Sequence, residues 1–235
     1  MRYVRFYLSF KENCKLMKIA VMNATKLSID PVDQAAKLFP EVEIFHFMDE
    51  GMSWLGKQEG KISGKNMARM VRLINSAEEL GVDGILLSCT IFSPYIDLLK
   101  PYTDLPLVAA DIGVFEKAAR DFQRIGAVVS FAPTMESVSW VVQRCREQIR
   151  PDLDVELKLA KGAFEAAAEG DVEKHNKAIL DTASSFRNKE AIVLSQMSQI
   201  RALPLFEGFP IPVLTSPPVS LGLLVEEIKT RTIRH

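Results

Sequence analysis

Cysteine and histidine are scarce in this chain of 235 residues, and each shortage excludes a class of site. The three cysteines make no disulfide framework and no zinc-ligand spacing, and the three histidines show no metal-ligand spacing either. We therefore expect a reducing, cytoplasmic compartment and no metal. The residues concerned are Cys14, Cys89, Cys145, His46, His175 and His235.

The chain also lacks an excess of either charge. Its 29 lysine and arginine residues are balanced by 30 aspartate and glutamate residues, for a net charge of −1. This balance provides no field that would attract nucleic acid or a membrane surface, so we predict neither as a partner. Residues 1–15 are basic and aromatic, but they contain no apolar run long enough to span a bilayer and no clear cleavage site. We interpret residues 1–16 as a loose N-terminal extension.

What the chain does contain is a buried-strand pattern that ends in a thiol. Residues 84–88 form the apolar run GILLS, Cys89 and Thr90 follow directly, and Ser93 and Pro94 are typical of a helix start. Such a run is typical of the middle of a parallel sheet, where ligands bind beyond the carboxyl ends of the strands. The following helix N-terminus predicts a lowered pKa for the Cys89 thiol. The alternative is an ordinary buried cysteine.

The two halves of the chain repeat one pattern. Residues 84–89 (GILLSC) align with residues 191–196 (AIVLSQ), and residues 105–108 (LPLV) align with residues 211–214 (IPVL) at nearly the same offset. Strands alternate with helices throughout, which is typical of α/β proteins. We predict an α/β fold of two pseudo-symmetric halves, each a small parallel sheet flanked by helices, with the active site in a cleft between them.

The predicted halves are residues 17–122, which carry Cys89, and residues 123–235, whose final helix packs back on the first half. A glycine-punctuated loop is expected over residues 51–64, and Asp111 is expected to cap a helix. The predicted strands are residues 18–22, 42–47, 84–88, 107–110, 124–129, 155–159, 191–195 and 213–214.

The repeat and two short motifs within it resemble the aspartate/glutamate/hydantoin racemase superfamily over about residues 18–231. The motifs are Ser88, Cys89 and Thr90 in the first half and LSQMS at residues 194–198 in the second. In that superfamily, two thiols face opposite sides of the substrate α-carbon, and one removes a proton while the other delivers one. The resemblance implies cofactor-independent chemistry on a small carboxylate or amino acid, within amino acid metabolism. It also implies a homodimer.

The second half departs from the superfamily pattern, because Gln196 stands where the second thiol is expected. An amide cannot act as a general acid or base near neutral pH, so Cys89 is the only thiol acid/base. One branch of the superfamily, whose members are racemase-like, resembles this chain in both motifs. Thr134 is alternatively a helix cap. Gln196 is alternatively a structural side chain that forms hydrogen bonds with nearby backbone groups. The substrate-binding residues that the resemblance implies are Asn23, Ala24, Thr25, Thr90, Thr134 and Gln196.

Three functions remain open at this point. The first is an isomerase or racemase that acts at the carbon next to a carboxylate, and the second is a lyase similar to arylmalonate decarboxylase, which needs only one protonation. The third is a non-catalytic protein that binds a small acid. Cys145 is not proposed as a second thiol, because it shares an apolar helical stripe with Val138 and Val142.

Residues 56–61 bear only a superficial likeness to a phosphate-binding loop, because the glycine spacing is too short and no strand precedes them. Trp54, Lys57 and Lys61 in this region form either a lid over an anionic substrate or part of a solvated loop.

Overall fold

The structure is a computed structural model that describes residues 16–59 and 61–233. The predicted N-terminal extension, including Cys14, lies outside the described residues except for Leu16, and His235 lies outside them as well. Within the described ranges, none of the helices combines the length and the apolar character that crossing a bilayer requires.

All strands in the described residues run parallel to their neighbours, in two four-stranded sheets. The first sheet has the order β2-β1-β3-β4 and the second has the order β6-β5-β7-β8, so the second half repeats the topology of the first. The predicted fold class, with two similar α/β halves, is therefore confirmed. The strands are β1 (Met17–Asn23), β2 (Val42–Met48), β3 (Gly84–Leu87), β4 (Leu107–Ala109), β5 (Arg124–Val129), β6 (Asp154–Leu159), β7 (Ala191–Leu194) and β8 (Val213–Thr215).

Helices connect the strands and cover both faces of each sheet, as parallel sheets require. The α-helices are α1 (Ile29–Ala36), α2 (Glu50–Glu59), α3 (Gly64–Leu80), α4 (Ile96–Leu99), α5 (Ala110–Asp121), α6 (Met135–Gln148), α7 (Ala163–Glu169), α8 (Val172–Ser184) and α9 (Ser216–Ile233). Short 3₁₀ segments cover Lys26–Ser28, Thr90–Tyr95, Lys100–Tyr102, Ala132–Thr134 and Met197–Phe206.

The repeat extends to single hydrogen bonds at the carboxyl ends of the strands. Ser88 follows β3 and donates its hydroxyl to the Met22 carbonyl of β1 at 2.8 Å. Ser195 follows β7 and donates its hydroxyl to the Val128 carbonyl of β5, also at 2.8 Å. In each sheet these two strands are neighbours from which the chain winds in opposite directions, and ligands bind at such a point in open α/β sheets.

The loop predicted over residues 51–64 is wrong in its first part, because residues Glu50–Glu59 form helix α2 despite two internal glycines. The Asp49 carboxylate fixes the start of this helix by accepting the Gly51 N–H at 2.9 Å. Arg69 of α3 holds the same carboxylate through two hydrogen bonds of 2.6 and 2.8 Å, and this pairing lowers the pKa of Asp49. A tertiary ion pair thus supports a helix start that the local sequence does not signal.

One apolar core runs through both halves. It joins Met22 and Ile85 of the first sheet to Val129 and Val193 of the second, and Cys145, which is 1% exposed, lies within it. Helices α5 and α6 pack against each other in this core. The two halves are therefore parts of a single packed body, and the strand ends that face each other are held at a fixed separation.

The last helix, α9, packs on the first sheet rather than on the second. Its Leu221, Leu224 and Ile228 are buried against Ile19 of β1 and Leu86 of β3. Helix α9 thus covers the first half of the molecule. It shields the outer face of β3, the strand that precedes Cys89.

Candidate active site

A cleft lies where the carboxyl ends of the two sheets face each other. It has a volume of about 660 Å³ and is lined by segments that follow β1 and β3 in one half and β5 and β7 in the other. Most of the predicted site residues lie together on its wall, although they are far apart in the chain. These are Ala24, Thr25, Cys89, Thr90, Thr134 and Gln196.

Cys89 is a partly exposed residue of the cleft and the N-cap of the 3₁₀ segment Thr90–Tyr95. Desolvation raises the pKa of its thiol to about 11, against the lowering effect of a hydrogen bond from the Ile91 N–H. The negative charge of Asp111 raises this pKa further. The lowered pKa expected from the helix start is therefore wrong, because loss of water around the sulfur outweighs one oriented N–H group. The resting side chain is a neutral thiol at neutral pH.

Asn23 differs from the other predicted binding residues, because it is fully buried and does not line the cleft. Its amide nitrogen donates to the Val21 carbonyl at 2.9 Å, and its amide oxygen accepts the Ser28 hydroxyl at 2.6 Å. The Ser88 hydroxyl lies 2.9 Å from the same oxygen. This placement argues against direct contact between Asn23 and a ligand. Asn23 instead positions Ser28 and Ser88, which do line the cleft.

The network behind Asn23 continues to His46 of β2, for which the sequence indicated no functional role. The Asn23 amide nitrogen lies 3.1 Å from His46 Nδ1, and His46 Nε2 lies 3.0 Å from Asp33 Oδ1. Since the amide nitrogen is a donor, Nδ1 accepts and Nε2 carries the proton toward Asp33. The register of β1 with β2, in which Val21 pairs with His46, brings His46 near Asn23, and α1 supplies Asp33.

Gln196 follows β7 as Cys89 follows β3, and it is held by its own half of the molecule. Its Oε1 accepts the Ser130 N–H at 2.8 Å and a hydrogen of the Gln199 amide at 3.0 Å. Its Nε2 donates to Thr134 Oγ1 at 3.3 Å, and the Thr134 hydroxyl donates to the Phe131 carbonyl at 2.7 Å. The amide oxygen is thus fully engaged within the protein. One of the two amide hydrogens is left for a ligand in the cleft.

A buried carboxylic acid lies beside the thiol without facing the cleft. Asp111 is in the first turn of α5, whose N-cap is Ala109, so the expectation that Asp111 caps the helix is wrong. The Ser93 hydroxyl donates to its Oδ1, while Oδ2 is buried with no hydrogen-bond partner in the described structure. Burial raises the pKa of Asp111 to about 7, although the Ser93 bond opposes the shift. The side chain is therefore partly neutral at neutral pH.

The outer part of the cleft is mainly apolar. Phe131 and Phe164 of the second half stack with their ring centroids 4.1 Å apart, and Trp140 of α6 also lines the cleft. Of the residues in the predicted lid, Lys61 lines the cleft, whereas Trp54 of α2 is 62% exposed and does not. The side chain of Lys57 lies outside the described residues.

Comparison with solved structures identifies proteins of similar fold. Glutamate racemase from Francisella tularensis, in complex with D-glutamate, has a TM-score of 0.69 and 13% identity over 93% of this chain and 83% of that chain. Aspartate racemase from Picrophilus torridus has a TM-score of 0.69 and 11% identity over 91% of this chain and 94% of that chain. A liganded variant of arylmalonate decarboxylase has a TM-score of 0.63 and 15% identity over 90% and 92% of the two chains.

No protein-family model and no curated protein matches the sequence. At identities this low, the likeness is one of fold. The chain shares its fold with these two racemases and with arylmalonate decarboxylase.

Proposed function

We propose that the chain is a cofactor-independent isomerase or racemase that acts at the carbon next to the carboxylate of a small acid. Cys89 is its only thiol acid/base. The observation that carries the proposal is the position of Cys89 in the cleft between the two halves, at the carboxyl end of β3. The fold shared with glutamate and aspartate racemases supports it.

In the proposed step, the Cys89 thiolate removes the proton from the α-carbon. The electron pair of the broken C–H bond moves into the carboxylate, and the resulting enediolate carries the charge on its oxygens. The Thr90 hydroxyl and the remaining amide hydrogen of Gln196 are donors for those oxygens. The thiol then returns a proton to carbon. For inversion, a water molecule on the opposite face donates the proton instead, because Gln196 cannot carry one, and the hydroxide it leaves is neutralised by the proton that Cys89 removed.

The raised pKa of Cys89 makes the pH profile of this step diagnostic. With a pKa of about 11, only about one molecule in 10⁴ carries the thiolate at pH 7. We therefore expect kcat/KM for proton removal to rise about tenfold per pH unit from pH 6 to 9, measured as deuterium incorporation into the substrate. A plateau reached near pH 7 would contradict a thiolate base of this pKa.

A decarboxylase similar to arylmalonate decarboxylase is the second candidate, and one observation favours it. The resting thiol is protonated, so it can deliver a proton without first losing one to solvent. Loss of carbon dioxide from a malonate leaves its bonding pair on the α-carbon as an enediolate, and the Cys89 S–H then protonates that carbon. The thiolate regains its proton from solvent. This reaction needs one proton on one face, which Cys89 supplies without a partner on the Gln196 side.

One experiment separates these functions. The protein is incubated with a panel of amino, hydroxy and malonic acids in deuterated water, and α-deuterium and carbon dioxide are measured. We expect α-deuterium for an isomerase or racemase and carbon dioxide for a decarboxylase, in either case lost in Cys89→Ser and kept in Cys145→Ala. Neither product across the panel, together with unchanged ligand binding by Cys89→Ser, would instead support a non-catalytic protein that binds a small acid.

Two further expectations accompany the proposed function. A homodimer is expected from the resemblance to the superfamily, and sedimentation analysis checks it. A cytoplasmic location is expected from the cysteine content, and cell fractionation checks it.

A further inference from the structure

The second half of the molecule presents three aromatic rings to the cleft, Phe131, Phe164 and Trp140, which we name the aromatic wall. All three are partly exposed, although Phe131 and Phe164 already stack at 4.1 Å between centroids. The Arg144 guanidinium lies 5.6 Å from the Trp140 ring centroid and steadies that ring. Partly exposed apolar rings that converge on one cavity are typical of a ligand-binding surface.

The first half contributes apolar side chains to the same cleft. Ile62, Ile91 and Tyr95 line it and are partly exposed there. A group lodged between these side chains and the aromatic wall therefore meets carbon on both sides. A flat ring fits such surroundings better than a polar chain, because offset and edge-to-face ring contacts add to the burial of apolar area.

Charged side chains are few in this cleft. Among the lining residues whose side chains the structure describes, Lys61 and Glu136 are charged, and both are exposed. A second carboxylate placed against the aromatic wall would lose its water without gaining a buried cation. Thr90 and Gln196 provide hydrogen-bond donors at the strand ends.

We propose that the substrate is a small acid bearing one aryl group, with its carboxylate at the strand ends beside Cys89 and its ring against the aromatic wall. This inference rests on the proposed function for its carboxylate end. It excludes aspartate and glutamate as preferred substrates, since their second carboxylate would occupy the place of the ring.

The test is calorimetric binding of phenylacetate, acetate and both enantiomers of aspartate to the full chain. Phenylacetate is expected to bind at least about tenfold more tightly than acetate or aspartate, the gain that one buried and stacked ring provides. Phe164→Ala should weaken phenylacetate about tenfold and leave acetate unchanged, and Phe164→Leu, which keeps apolar volume, should fall between. Tyr102→Ala is the matched control, because Tyr102 is an exposed aromatic residue outside the cleft, and it should change nothing.

Aspartate binding as tight as phenylacetate binding, or equal phenylacetate affinity in the wild type and both folded Phe164 variants, would overturn the aryl site. The proposed function fails separately. Tight aryl-acid binding with neither α-deuterium nor carbon dioxide released retires the activity and keeps the site, whereas Cys89-dependent exchange on aspartate alone does the reverse.

Discussion

At the scale of single residues, Asp111 should dominate the pH dependence of stability. Its pKa rises from 3.8 to about 7 in the folded protein, because the carboxyl group is buried with one oxygen unpaired. Between these pH values the folded state holds a proton that the unfolded state has released. The free energy of unfolding therefore falls as pH rises from about 4 to about 7, by up to about 4 kcal/mol, and levels off above that range.

Asp111→Asn removes this titration and keeps an oxygen that can accept the Ser93 hydroxyl. We expect urea unfolding of the variant to show a much flatter change in stability between pH 4.5 and 8 than the wild type. Ser93→Ala is the companion variant, because it removes a bond that favours the charged form and should extend the decline to higher pH. Parallel pH curves for the wild type and Asp111→Asn would show that the carboxyl group titrates normally.

The position of Cys89 could be read from the sequence, but its ionisation could not. An apolar run, a thiol and a helix start are local features, and they place the residue at the end of β3 correctly. Desolvation and the charge of Asp111 come from tertiary packing, so no local pattern reports them. The same holds for Asn23, whose partner Ser88 is 65 positions away in the chain.

At the scale of elements, the contact between β3 and α9 depends on a missing side chain. A Cβ at Gly84 would lie 2.8 Å from Ile228 Cδ1 and 3.0 Å from Leu224 Cδ1. We expect Gly84→Ala to destabilise the protein by about 1–3 kcal/mol through overpacking, measured by urea unfolding. Adding Ile228→Val, which removes the closer methyl group, should recover part of the loss. Gly64→Ala is the control, because no atom lies within 4 Å of its added Cβ, and it should be near neutral.

Elements whose signal is local were predictable from the sequence, and those that depend on a distant partner were not. Strand β5 has the predicted bounds, since its apolar run is buried on both faces as a central parallel strand requires. Strand β3 likewise begins at the predicted residue 84. Helix α2 was missed because its glycines signal a loop, while the Arg69 side chain that holds its first turn comes from α3.

At the scale of the whole molecule, the two halves should unfold together. The core joins Ile85 of the first sheet to Val193 of the second, and Arg144 of α6 pairs with Asp97 of α4 at 2.9 Å across the halves. We expect far-ultraviolet circular dichroism and tryptophan fluorescence to give one coincident urea transition. Residues 17–122 expressed alone should stay largely unfolded, because they would expose the face of α5 that packs on α6 and lack α9. Two separate transitions would contradict a shared core.

The shared core also limits how a substrate can enter the cleft. Moving the halves apart would expose apolar core surface, at a free-energy cost of about 25 cal/mol per Å². We therefore expect the floor of the cleft to be rigid. Substrate then has to pass at the rim of the cleft. Helix α2 supplies Met52, Ser53 and Gly56 to this part of the wall, and the pairing of Asp49 with Arg69 holds its first turn. We therefore expect substrate entry and exit to depend on α2 at the rim rather than on movement of the two halves.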